Sequence, residues 1–157
     1  EVDYLAVVEL TLALYPQVEA ARGCVVNISS MAGWMPVLGR AGYCAAKSAL
    51  HQFFETFRAE VQDRGVSVLM VYPGFLDTPI EQNALGGDGG KAAHSRSTTG
   101  QVRSADWMAQ QVVDGVACGR RRIFPDRFTA FAALLYRVAP DLYLRLMRRR
   151  FAGELPA

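Results

Sequence analysis

An α/β fold built on a parallel sheet is what this 157-residue sequence predicts, and three observations predict it. Two short apolar runs, Cys24 to Ile28 and Val66 to Tyr72, have the continuous, partly β-branched hydrophobicity of strands covered on both faces. The segment between them, Ala41 to Arg64, places apolar residues at helical spacing and is long enough to be a crossover. A later helical pattern and a short strand pattern at Arg122 to Phe124 extend the alternation to β, α, β, α, β. Such crossovers are right-handed, and ligands gather at the carboxyl ends of the strands they join. Function is therefore expected near Ser30 and Pro73.

Each element has a local cause. Residues 2–20 place Leu5, Val8, Leu12 and Tyr15 three or four apart, which predicts a helix with one apolar stripe, bent or ended by Pro16. Arg22-Gly23 breaks it before the first strand, and Ser29 to Gly33 leaves that strand as a loop. In the helix of residues 41–64, Ala46, Leu50, Phe53, Phe54, Phe57 and Val61 share a face, and Gly65 stops it. Pro73-Gly74 closes the second strand, because proline cannot continue a central strand. Residues 77–104 hold five glycines and few large apolar groups, the composition of a long binding loop. Helix is expected again from Ala105 to Cys118, then from Arg127, with a break at Pro140 and resumption through Arg150.

Composition excludes several classes. With 51% hydrophobic residues the chain can bury a core, so disorder is excluded. A net charge of +2 provides no global basic field for nucleic acid. Three dispersed cysteines, Cys24, Cys44 and Cys118, show neither disulfide nor zinc-ligand spacing, and reduced thiols in a cytoplasm are expected. His51 and His94 lack a neighbouring ligand and read as packing or surface residues, so no metal site is expected. The charge is uneven: residues 1–118 carry 8 Lys/Arg against 12 Asp/Glu, while 119–157 carry 9 Arg against 3 acids. The apolar run from Phe128 to Tyr136 is far below the roughly 20 residues that cross a bilayer.

The chemistry-bearing pattern is Ser29 and Ser30 after the first strand, Tyr43 thirteen residues beyond Ser30, and Lys47 four further on. Tyr43 and Lys47 share a helix face, about 6 Å of rise apart. Using a phenol of ordinary pKa about 10 as an acid/base near pH 7 requires stabilising the phenolate by about 4 kcal/mol, which a neighbouring ammonium can supply. A serine hydroxyl at the adjoining strand end can hydrogen-bond the reacting oxygen. Taken singly, a Tyr and Lys at this spacing arise by chance, and Ser-Ser after a strand also serves as a turn or helix cap. Cys44 beside Tyr43 reads equally as a thiol whose modification inhibits or as a small packing residue.

Together, three stretches resemble the short-chain dehydrogenase/reductase family: Val25 to Gly33, Tyr43-Cys44-Ala45-Ala46-Lys47, and Tyr72-Pro73-Gly74-Phe75-Leu76-Asp77-Thr78. The resemblance is expected to run from end to end. It implies a Rossmann-like doubly wound parallel sheet, of which this chain would be the carboxyl-terminal strands and helices, without the glycine-rich cofactor-binding half. It further implies an NAD(P)-dependent oxidoreductase interconverting a carbonyl and an alcohol by hydride transfer, with NADP or NAD as cofactor. Tyr43 would be the acid/base, Lys47 would lower its pKa and hold the nicotinamide ribose, and Ser30 rather than Ser29 would orient the reacting oxygen. Pro73, Gly74, Leu76 and Thr78 would meet the nicotinamide carboxamide, and residues 77–104 would be the substrate loop. Asp3 falls where relatives carry an Asn whose backbone carbonyl holds a water in the proton path, and it adds a negative charge near Lys47.

The resemblance also implies a homodimer or homotetramer formed through helices 2–20 and 41–64. The chain divides on this reading into a catalytic part, 1–126, and a basic amphipathic extension, 127–157. In that extension Phe128, Phe131, Leu134, Leu135 and Val138 form a stripe beside Arg127 and Arg137. The stripe suits either packing on its own domain and substrate cleft or peripheral contact of 127–150 with an anionic membrane, the latter favouring a lipid-like carbonyl substrate. Because Glu1 lies inside an apolar-periodic pattern without an initiator Met, the chain is expected to start within a longer protein. A truncated, non-catalytic dimerising or scaffold module is the alternative function. A serine hydrolase is disfavoured by the lack of a Gly-x-Ser-x-Gly elbow.

Overall fold

The computed structural model describes residues 2–81, 90 and 101–152. Helix α1 (Leu5–Ala20) leads to strand β1 (Cys24–Ile28), and a 3-10 turn at Met31–Gly33 precedes α2 (Ala41–Val61). Strand β2 (Ser67–Val71) follows, then the two-residue strands β3 (Leu76–Asp77) and β4 (Arg103–Ser104), helix α3 (Ala105–Ala117) and β5 (Arg122–Ile123). Helices α4 (Arg127–Val138) and α5 (Pro140–Arg150) close the order. The fold is α/β, with a parallel sheet in the order β1, β2, β5 and a separate parallel pair, β3 and β4.

The register of β1 on β2 runs from Cys24 opposite Ser67 to Ile28 opposite Val71. Both strands therefore end at the same sheet edge, where Ser30 and Pro73 follow them. The two loops are tied together, since the Ser29 N–H donates to the Val71 carbonyl at 2.9 Å and the Met31 N–H to the Pro73 carbonyl at 3.4 Å.

Helix α2 buries Leu50, Phe54, Phe57 and Val61 against Val66, Val68 and Met70, as its stripe predicts. On the other face of the sheet Leu69 and Val71 meet Met108 of α3 and Ile123 of β5. Burying side chains of this size is worth about 1.5–3 kcal/mol each. Past α2 the chain tightens into a 3-10 turn, Gln62–Arg64, and reverses at Gly65, whose φ of 79° favours a residue without Cβ.

Several expectations are corrected here. Pro16 does not end α1: it sits on an exposed side, where the carbonyl it frees can be hydrated, and the helix continues to Ala20. The inner face of α1 is Val7, Val8, Tyr15 and Val18, joined by Tyr4 just before the helix, whereas Leu5 and Leu12 of the expected stripe are exposed. Strand β1 is not covered throughout, because it is the sheet edge and Ile28 is exposed. The region expected to be loop, 77–104, contains β4 and part of β3, and its residues 82–89 and 91–100, with His94, lie outside the described residues.

Candidate active site

At the shared end of β1 and β2 lies a cavity of about 680 Å3. Ser29 and Ser30 reach it from the end of β1, Tyr43 from the first turn of α2, and Pro73, Gly74, Leu76 and Thr78 from the segment after β2. The structure thus brings Ser30, Tyr43 and the expected carboxamide-binding residues onto one hollow. Ser30 is the N-cap of the 3-10 turn, its Oγ accepting the Ala32 N–H at 3.2 Å, so its hydroxyl proton stays available to another acceptor.

Lys47 sits one turn along α2 from Tyr43, with its Nζ 5.6 Å from the Tyr43 ring centroid. The same Nζ makes an ion pair with Asp3 Oδ1 at 2.9 Å, and the lysine side chain is 12% exposed against 50% for the aspartate. Neither Lys47 nor Asp3 lines the cavity. The negative charge expected near Lys47 is therefore present as a direct contact. Cys44 turns away to the preceding loop, where its Sγ accepts the Val37 N–H at 3.3 Å.

The residues present fit the nicotinamide end of a dinucleotide. Among the lining residues Ser30, Tyr43 and Thr78 carry hydroxyls beside the compact Pro73 and Gly74, a donor and acceptor set suited to a carboxamide, whereas the Ser29 Oγ is buried on the Gly33 side without a hydrogen-bond partner.

Two further features surround the site. The far cavity wall is built by Met31, Met35, Val37 and Leu38 from the loop before α2 and by Phe131, Leu135, Leu146 and Phe151 from the last helices. Those helices are fastened by Trp34 Nε1–H donating to the Ala133 carbonyl at 3.3 Å and by the Tyr143 hydroxyl donating to the Pro36 carbonyl at 2.9 Å. Burial raises the pKa of Tyr143, keeping that hydroxyl a donor.

The second is a cluster behind Pro73. His51 Nδ1 and the Tyr72 hydroxyl share a 2.6 Å hydrogen bond, and Trp34 packs edge-on against His51, Tyr72 and Phe124. Burial is the main cause lowering the His51 pKa, with Glu55 opposing it and Arg122 and Arg58 adding to it. Burial likewise raises Tyr72. No signal in the sequence joins residues so far apart.

Comparison with known proteins bears on the same residues. A family model described as short chain dehydrogenase matches residues 1–87. Dehydrogenase/reductase SDR family member 7B of Rattus norvegicus is 36% identical over 156 residues, covering 98% of this chain and 48% of that protein. Dehydrogenase/reductase SDR family protein 7-like of Drosophila melanogaster is 33% identical, covering 95% and 46%. The chain spans about half the length of the curated relatives it matches. Among solved structures, a short chain dehydrogenase from Burkholderia cenocepacia J2315 in complex with NADP aligns with a TM-score of 0.69 and 21% identity, over 92% of this chain and 56% of that one. One from Streptomyces avermitilis aligns with a TM-score of 0.64 and 24% identity, with the same coverage. These two likenesses establish the fold, a partial Rossmann-like parallel sheet.

The matches correct one expectation, that the chain is a carboxyl-terminal portion without the cofactor-binding half; the end-to-end resemblance itself agrees with the 98% of the chain that the Rattus norvegicus relative matches. The family model covers the amino-terminal part of this chain and stops at residue 87. That part holds every residue assigned to the cofactor: Tyr43, Lys47, Pro73, Gly74, Leu76 and Thr78. The expectation equates the cofactor-binding half with a glycine-rich turn, whereas the residues assigned to the nicotinamide end lie within the matched part.

Proposed function

Because the chain belongs to the short-chain dehydrogenase family, we propose that it carries the carbonyl-binding and proton-transfer site of an NAD(P)-dependent oxidoreductase that interconverts a carbonyl and an alcohol. The observation that carries this reading is Ser30 and Tyr43 on one cavity wall with the Lys47 ammonium 5.6 Å from the Tyr43 ring. Ser30 donates its hydroxyl proton to the substrate oxygen and fixes the carbonyl plane. Tyr43 gives its phenolic proton to that oxygen during reduction and takes it back during oxidation. Lys47 favours the negative charge this leaves on the phenolic oxygen. Asp3 is a positioning residue, holding Lys47 by their 2.9 Å ion pair. NADP or NAD, when bound, supplies or accepts the hydride. Pro73, Gly74, Leu76 and Thr78 hold its carboxamide end beside the substrate.

The apolar wall formed with Phe131, Leu135 and Leu146 supports an aliphatic, lipid-like carbonyl substrate. Exposed leucines on α1, Leu10 and Leu14 among them, support the homodimer the family resemblance implies.

The test is a nicotinamide-fluorescence titration with NADPH and then NADH on the folded chain, followed by assay of reduced-nicotinamide consumption with medium- and long-chain aldehydes and ketones. Saturable binding with carbonyl-dependent turnover is expected. Saturable binding without turnover of any carbonyl or alcohol would instead favour the non-catalytic module.

A further inference from the structure

Helix α4 packs with its small side inward. Thr129, Ala132 and Ala133 are buried, while Phe128, Phe131, Leu134 and Val138 are between 51 and 69% exposed. The close approach is needed for Trp34 to reach the Ala133 carbonyl, and it leaves the large apolar side chains on the outer surface. Helix α5 continues that surface with Leu142 and Leu146, both exposed, while Tyr143 points inward. Isolated exposed leucines are ordinary, but six large apolar residues across one helical hairpin form a patch.

The charge beside this patch has one sign. Helices α4 and α5 contain six arginines and one acid, Asp141. Arg127 and Arg137 on α4, and Arg145, Arg148 and Arg149 on α5, are all exposed. Exposed aromatic and aliphatic groups interleaved with arginine are the chemistry of a helix lying in the interface of an anionic bilayer. No helix among the described residues is long and apolar enough to cross a membrane, so contact would be along the surface. The patch also reaches the cavity, because Phe128, Phe131 and Leu146 line it.

From these observations we propose that α4 and α5 dock the protein on an anionic membrane surface, with the cavity mouth at the lipid boundary. The apolar side chains enter the acyl boundary and the arginines meet lipid phosphates. A lipid leaving the bilayer then reaches the cavity without crossing water. The proposal concerns the surface and does not depend on the redox chemistry.

The experiment is flotation of the full chain with vesicles of phosphatidylcholine alone and of phosphatidylcholine with about one-third phosphatidylserine, at low and at physiological salt. Binding is expected on the anionic vesicles and weakened by salt. Each arginine near such a surface contributes a factor of about five, so Arg145→Gln/Arg148→Gln/Arg149→Gln is expected to lower the partition coefficient about a hundredfold. A separate variant, Leu134→Ser/Val138→Ser/Leu142→Ser, changes exposed positions outside the cavity lining and is expected to lose binding while keeping its circular dichroism. Failure of the folded chain to float with anionic vesicles overturns the proposal. So does binding that neither variant reduces. A shift from dimer to monomer in the apolar variant, with no vesicle binding by the parent, overturns it in favour of a second copy on this face.

Discussion

Gly33 stands so close to α2 that a Cβ built on it would lie 2.6 Å from the Lys47 carbonyl oxygen and 3.0 Å from Ser29 Oγ. The loop carrying Ser29 and Ser30 is thereby pressed onto the helix turn carrying Tyr43 and Lys47. The spacing of the candidate catalytic groups depends on this backbone contact as much as on the groups themselves. Glycine is required by proximity, since Gly33 is not among the residues with positive φ.

Gly33→Ala is therefore expected to separate the loop from α2. Overpacking against backbone costs about 1–3 kcal/mol. Thermal denaturation should show a midpoint several degrees lower, and turnover should fall more than stability alone explains. An alanine variant with parental midpoint and turnover would contradict the contact.

Lys47 and Asp3 separate by role. Lys47→Met removes the cation beside Tyr43 and is expected to lower turnover by about a hundredfold or more, with weaker cofactor binding. Asp3→Asn leaves that cation in place. Because Asp3 is half exposed, its pair with Lys47 contributes about 1 kcal/mol at most, so stability and turnover should each change by no more than about fivefold. Denaturant titration and initial rates read both effects, and equal losses in the two variants would place Asp3 in the proton path itself.

His51 gives the fold a pH dependence of definite sign. Its folded-state pKa is lowered from 6.5 chiefly by burial, so below that value the unfolded chain binds the extra proton more readily. The His51 contribution is complete above about pH 6.5 and is lost as pH falls through the folded value. Urea midpoints should drop between about pH 7 and pH 5, and His51→Gln should flatten that drop. An unchanged pH dependence in the variant would remove His51 as its source.

On α1, Leu10 and Leu14 lie one turn apart and are both exposed. Leu10→Lys/Leu14→Lys is expected to halve the mass seen by sedimentation while leaving the far-ultraviolet spectrum unchanged. An unchanged mass from a parent dimer would move the interface elsewhere.

The legible parts of the fold are those set by local pattern. Strands β1 and β2 and the Leu50, Phe54, Phe57, Val61 face of α2 follow from runs and spacings within one element. The meeting of Ser30 and Pro73 at one end of the sheet follows from strands that end together. Longer-range choices were not legible. The stripe of α4 shows an apolar face, but its outward direction is decided by Trp34 reaching Ala133, 99 residues away. The pairing of Leu76–Asp77 with Arg103–Ser104 rests on two residues per strand, too few for a hydrophobic period. The His51, Tyr72 and Trp34 cluster joins three elements through side chains that no motif relates.

On the proposed reading Tyr43 exchanges the proton while hydride moves to the carbon beside it. Its most direct measurement is turnover of a long-chain ketone with NADPH carrying deuterium at the transferred position, in the parent protein and in Tyr43→Phe, with cofactor binding followed in both. Deuterium is expected on the carbinol carbon of the parent's product, and in Tyr43→Phe retained cofactor binding with turnover lower by about a hundredfold or more. Tyr43→Phe that still forms labelled alcohol at the parental rate would contradict it.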